Sequence, residues 1–325
     1  MKENNRIHWP MFIISGKKQS GKDEVCKMLQ YIIKPLVEPS DMNFITNNIF
    51  YAYYLYSENE NKSYVPKNVY TKNKYQNLFE YLPFAKNLKK VLSIILCIPI
   101  DYFNDNKYKS NYYVNIKTFE KFDLVNNPNQ NFQKTDDIKT LREIMQEVGN
   151  YIEPYFGEDI WVKSTLNTAK EIIDSNKEFI NKATNWYIPI ISDLRRQIEL
   201  ESIRILFDKK DYVTIRIVRY MSFDEWYEQT GLKKSGFIIN NFDGWNNEKI
   251  TINEFLKRLQ NSTYTSNSKS DSIIKSLTHE TETELDNYNN FDYIIDNDSD
   301  LTELFVKVYK IVNKIAIDEF LKKDK

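Results

Sequence analysis

The spacing of two glycines and a lysine in SGKKQSGKD, Gly16, Gly21 and Lys22, limits this chain more than anything else in it. It satisfies G-x-x-x-x-G-K, a loop whose glycines let the backbone turn tightly so that several N–H groups converge on a polyphosphate. The pattern carries physical meaning only between a strand and a helix, and both neighbours have that form. Residues 11–14 are a short apolar run that reads as a buried parallel strand, and Val25, Met28, Leu29, Ile32 and Ile33 recur at helical spacing. The helix start adds the positive end of its dipole to the loop amides. Lys22 is placed to put an ammonium between the β- and γ-phosphates, while Asp23 stands where a Ser or Thr hydroxyl usually ligates magnesium. A strand-to-helix turn that merely contains these residues is the structural alternative. Only 7 glycines in 325 residues make that spacing hard to reach by chance.

A chain of this length with 41% hydrophobic residues can bury one large α/β core. A formal charge of −1 nominates neither nucleic acid nor an anionic membrane as partner. Cys26 and Cys97 lie far apart in apolar helical patterns, which fits a reducing compartment and no metal framework. The polar start MKENNRIHWP, followed by a short apolar run, has the form of neither a signal peptide nor a membrane span, so the expected location is cytoplasmic. The sequence does not set the oligomeric state, and a homo-oligomer is compatible with it.

Beyond the first helix, Pro35 and Pro39 interrupt the pattern, and 37–76 reads as an insertion or a substrate-side region. It contains an aromatic run, 49–56, suited to packing or to base stacking. Phe84, Leu88, Val91, Leu92, Ile95 and Leu96 then mark one helix face, with Lys86, Lys89 and Lys90 opposite, solvated or aimed at a phosphate. A helix after Thr140 carries Leu141, Ile144, Met145 and Val148, with Gly149 as the expected C-cap and with Arg142 and Gln146 on a shared face. Another helix opens near Tyr155 and runs to about Ile173; Asp159 and Trp161 at its start suit either ligand binding or capping and core packing.

Residues 186–192 read as a buried strand delivering Asp193 and Arg195 at its carboxyl end, where ligands sit in open α/β sheets. The carboxylate suits magnesium, directly or through water, and the arginine suits a phosphate; the bland reading is a cap for the helix at 196–207. A strand at 212–220 ends with Arg219. Residues 221–275 lack apolar continuity, hold Gly231, Gly236, Gly244 and a short helix at 252–259, and read as an insertion or lid. A last strand at 291–296, a turn at 297–299 and a closing helix at 301–321 complete an alternation that predicts a parallel, helix-covered sheet.

Taken in order, SGKKQSGKD, LPFAKNLKKVLSIILCIPIDYF, LREIMQEVGN, FGEDIWV, IISDLRRQIE, THETE and FDYIIDND resemble the deoxynucleoside monophosphate kinases of tailed bacteriophages, within the P-loop nucleoside monophosphate kinase group. The resemblance spans nearly the whole chain. It implies a P-loop NTPase-type three-layer α/β fold with insertions, a single kinase domain over 1–325, and transfer of the γ-phosphoryl group of ATP to a deoxynucleoside monophosphate with Mg2+. It implies ATP contacts from Gly16, Lys18, Ser20, Gly21, Lys22 and Asp23. Arg142, Gln146, Asp159, Trp161, Asp193, Arg195 and Glu199 are implied around the acceptor or the reaction centre. His279 and Glu282 match a His-x-Ser-Glu element in which Thr281 replaces Ser. The chain departs from that pattern at Glu24, where Thr is common, at Cys97, where Gly is usual, and at Asn150, where Thr is usual. Glu24 and the insertions motivate the alternative of a catalytically degenerate nucleotide-binding module with an assembly or regulatory role. A second alternative, ATP hydrolysis on nucleic acid, meets the neutral charge.

Overall fold

A computed structural model of the chain describes residues 7, 9–33, 36, 49, 52–53, 79–178, 187–240 and 248–322. In chain order the first elements are β1 (Met11–Gly16), α1 (Lys22–Ile33), β2 (Phe79–Tyr81), α2 (Lys86–Leu96), α3 (Ile100–Asn104) and α4 (Asn106–Asn111). Next come β3 (Tyr112–Asn115), β4 (Lys121–Asp123), β5 (Ile138–Thr140), α5 (Leu141–Phe156), α6 (Ile160–Glu178), β6 (Ile188–Leu194) and α7 (Gln197–Leu206). The last group is β7 (Tyr212–Met221), α8 (Phe223–Gln229), β8 (Ile238–Asn240), β9 (Ile250–Thr251), α9 (Ile252–Gln260), β10 (Thr263–Thr265), α10 (Ser268–Leu277), α11 (Glu280–Thr283), β11 (Tyr293–Asn297) and α12 (Leu301–Lys322).

The chain divides into two compact units, Met1–Tyr81 with Ile172–Lys325, and Leu82–Glu171. The first is α/β, built on a sheet in the order β11-β7-β1-β6-β2 with β9 attached to β7. The five strands of that path pair in parallel, and β9 runs antiparallel, so the sheet is mixed but mostly parallel. Every residue of β1 is buried. Phe12 and Ile14 meet Val25, Leu29 and Ile32 of α1 and Phe305, Val308 and Val312 of α12. Met11 and Ile13 alternate to the other face and are also fully covered. A strand buried on both faces explains why residues 11–14 show a continuous apolar run rather than an alternation.

Residues 221–275 correct the expectation of a segment without apolar continuity. Phe223, Trp226, Leu232, Phe237, Phe255, Leu256 and Leu259 form a core of their own. Its short helices are fixed by capping boxes, Ser222 with Glu225 for α8 and Thr251 with Glu254 for α9. The apolar positions are dispersed because several short elements share this core, α8 supplying Phe223, Trp226 and Tyr227 and α9 supplying Ile252, Phe255, Leu256 and Leu259. Most of 37–76 lies outside the described residues, as do Gly244 and all of the aromatic run at 49–56 except residues 49, 52 and 53; Ala52 is buried and the Tyr53 ring meets Phe305 at 5.2 Å.

The second unit joins the antiparallel sheet β4-β3-β5 to helices α2–α5 and the first part of α6. Leu88, Leu92 and Leu96 of α2 pack with Phe103, Val114, Leu141 and Ile144. This stripe is narrower than expected, since Val91 and Ile95 are exposed. Gly149 is not a C-cap. The helix continues through Pro154 and ends at Gly157, whose φ of 94° and ψ of 152° are backbone angles open to glycine. Among the described residues no helix is long and apolar enough to cross a membrane.

Candidate functional site

The loop between β1 and α1 has the form its glycines demand. A Cβ on Gly16 would lie 2.4 Å from Ser20 Oγ and 2.8 Å from the Ile217 carbonyl oxygen, so only glycine fits. Gly21, at φ 98°, leaves room for Asn297, whose Nδ2 donates to the Ser20 carbonyl at 2.9 Å. The Lys17 carbonyl accepts both the Ser20 N–H at 3.1 Å and Lys22 Nζ at 2.8 Å, which folds the lysine back over the loop. Ser20 Oγ is buried without a partner, a polar atom facing the interior of this turn. Burial, then the neighbouring Arg195, pushes the Lys22 amine down to about 8 against the pull of Asp23 and Asp193.

Strand β6 lies beside β1 and brings in Asp193 and Arg195. The register slips between Ile13 and Ser15, which pair with Ile191 and Leu194, so one extra residue is accommodated next to Asp193. Such bulges re-aim side chains beside sites. Glu199 Oε2 accepts the N–H groups of Arg195 at 2.7 Å and Arg196 at 2.9 Å. Burial raises its carboxyl to about 7, opposed by those two amide bonds. The Arg195 side chain pairs with Glu282, whose other oxygen accepts the Lys18 N–H at 2.9 Å.

Strand β7 extends past the end of β1, whose Gly16 pairs with Ile217. Arg219 therefore reaches the loop and donates to the Gln19 carbonyl at 3.1 Å, and Asn297 of β11 pairs opposite it. Together with Ser20, Lys22 and Asp23 they line a cavity of about 710 Å³, within the usual range for a small-molecule site. Glu24 also borders it and lies 3.4 Å from Lys27. On the loop's other flank, Lys17 pairs with Asp286 at 2.7 Å, and Arg216 reaches the same carboxylate at 3.2 Å and Ser15 Oγ at 2.8 Å. These groups border a smaller cavity of about 160 Å³.

The structure thus brings Gly16, Lys18, Ser20, Gly21, Lys22, Asp23, Asp193 and Arg195 together in one unit. Arg142, Gln146, Asp159 and Trp161 belong to the other. There Arg142 is exposed and donates to Asn106 Oδ1 at 3.4 Å, and Gln146 is exposed one turn further on. Asp159 pairs with Lys163 at 2.9 Å. Trp161 packs on the unit's core, as the structural reading of it expects, yet its Nε1 is buried without an acceptor. Lys89 meets Asn104 at 3.1 Å, and burial, followed by the nearby Lys89 and Arg142, lowers the Lys109 amine.

Arg216, Asn297, Glu284 and Asp286 are absent from the sequence-based set, and Arg219 appears there only as a strand end. The one available signal is Arg216 inside an otherwise apolar strand pattern, YVTIRIVRY. Compared with protein-family models and with curated proteins, the chain matches none of them.

Proposed function

We propose that the chain phosphorylates deoxynucleoside monophosphates, with ATP as donor and magnesium as the bridging ion. The observation that carries this reading is Lys22, buried in a glycine-shaped loop at the mouth of β1, with Asp193 and Arg195 delivered by the adjoining strand. Carboxyl ends of parallel strands at the point where the strand order reverses are where α/β sheets bind ligands. The fit to a polyphosphate rests on the turn that Gly16 alone permits, the unpartnered Ser20 Oγ and the adjoining cavity.

A bound magnesium ion would supply positive charge that offsets the charge developing on the transferring phosphoryl group. Among the described residues no cluster of three His, Cys, Asp or Glu side chains is built to hold a metal unaided. Magnesium is ordinarily held through one or two carboxylates plus substrate phosphates, a role for Asp193 with Asp23 beside it. Lys22 and the loop amides would hold the donor phosphates, and Arg195 would stabilise the equatorial oxygens of the transferring group. The acceptor's phosphate is already ionised, so the transfer needs no general base.

The test is a coupled assay with Mg·ATP and each of the four deoxynucleoside monophosphates. Diphosphate should form from at least one, and Lys22→Ala should lower the rate by roughly three orders of magnitude, as loss of a charge clamp does. ATP binding without phosphorylation of any of the four would favour the degenerate nucleotide-binding module.

A further inference from the structure

Glu282, Glu284 and Asp286 fall on every second residue and fasten one short segment to three parts of the site. Glu282 reaches the phosphate loop and Arg195. Glu284 Oε1 accepts the Gln197 N–H at 2.7 Å, at the start of α7. Asp286 pairs with Lys17 at 2.7 Å, and Leu285 between them is buried. We infer that Glu282 is the positioning residue for Arg195, holding its guanidinium at a fixed place against the backbone of the phosphate loop; this rests on the kinase reading above. One carboxylate makes both contacts, so it sets the separation of the two groups that must act on the same phosphoryl transfer. Its side chain is only 8% exposed, against 34% for Arg195, so the anchor is fixed and the arginine's working end stays accessible. The Arg195 backbone is held separately by Glu199. An arginine has many rotamers to lose before it acts, and holding it beforehand removes that loss from the reaction step.

The test uses the full chain with Glu282→Gln and Glu282→Ala, each alone and combined with Arg195→Ala, under steady-state kinetics with Mg·ATP and the accepted nucleotide. Each Glu282 change should lower kcat about ten- to a hundredfold while KM for ATP stays nearly unchanged, the signature of lost alignment. In the Arg195→Ala background the same changes should cost little, because the two residues then act as one unit. Equal losses in both backgrounds would overturn the inference, since Glu282 would be acting through the fold. Tighter ATP affinity with unchanged kcat would overturn it too, marking the carboxylate as an occupant of a phosphate oxygen's place. If the wild type phosphorylates nothing, the kinase reading falls while the positioning claim is still decided by Arg195 modification with phenylglyoxal in ligand-free protein. Mass spectrometry should find that modification several-fold faster in Glu282→Gln, and an unchanged rate would overturn the positioning role.

Discussion

Lys22 is the residue under the greatest electrostatic tension in the loop. It is 7% exposed and has its proton loosened by burial and by Arg195. Its folded value, about 8, lies below the ordinary 10.5. Between those two values the unfolded chain keeps a proton that the folded chain has lost, so this group's contribution to stability improves as pH rises through that window. Below about 8 both states are protonated and the folded chain bears the full cost of a buried cation. A bound polyphosphate acts in the opposite direction, because an anion beside the amine favours its charged form. ATP affinity should therefore fall roughly ten- to thirtyfold between about pH 7 and pH 9.5, and Lys22→Met should bind weakly with little pH dependence. Titration of a fluorescent ATP analogue across that range checks it, and a flat wild-type profile would remove Lys22 from phosphate contact. Gly16 needs no such measurement to be understood, since the approach of Ser20 and Ile217 leaves no space for a Cβ.

Helix ends in the second unit show where local sequence signals mislead. Gly149 follows four apolar positions at helical spacing and so looks like a terminus, yet α5 runs on to Phe156 and the cap is Gly157. Gly149 is buried in a helical turn where an added Cβ would meet only Leu88 Cδ2, at 3.6 Å, an ordinary contact. Cys97 is the reverse case: it ends α2 at φ 50°, and its N–H and that of Ile98 close the turn onto Ile94 and Ser93. Gly149→Ala should then stabilise the chain by about 0.5–1 kcal/mol through helix propensity. Cys97→Gly should add about 1 kcal/mol by relieving a left-handed non-glycine residue. Urea denaturation measures both, and a destabilised Gly149→Ala would mean that the helix cannot accept even a methyl group there.

For the molecule as a whole, contacts that shape the loop between β1 and α1 come from within the discontinuous unit, from β7, β11, β6 and the segment around Glu282. The strand, loop and first helix were legible in the sequence because a buried strand, a tight turn and an amphipathic face each impose a local pattern on adjacent residues. The positions of Lys22 and Asp193 were legible for the same reason, each standing at the end of such a strand or loop. Arg216, Asn297, Glu282 and Asp286 were not legible as neighbours of that loop. They lie roughly 200 or more residues along the chain from it, and strand pairing and carboxylate contacts, which leave no periodic trace, bring them there.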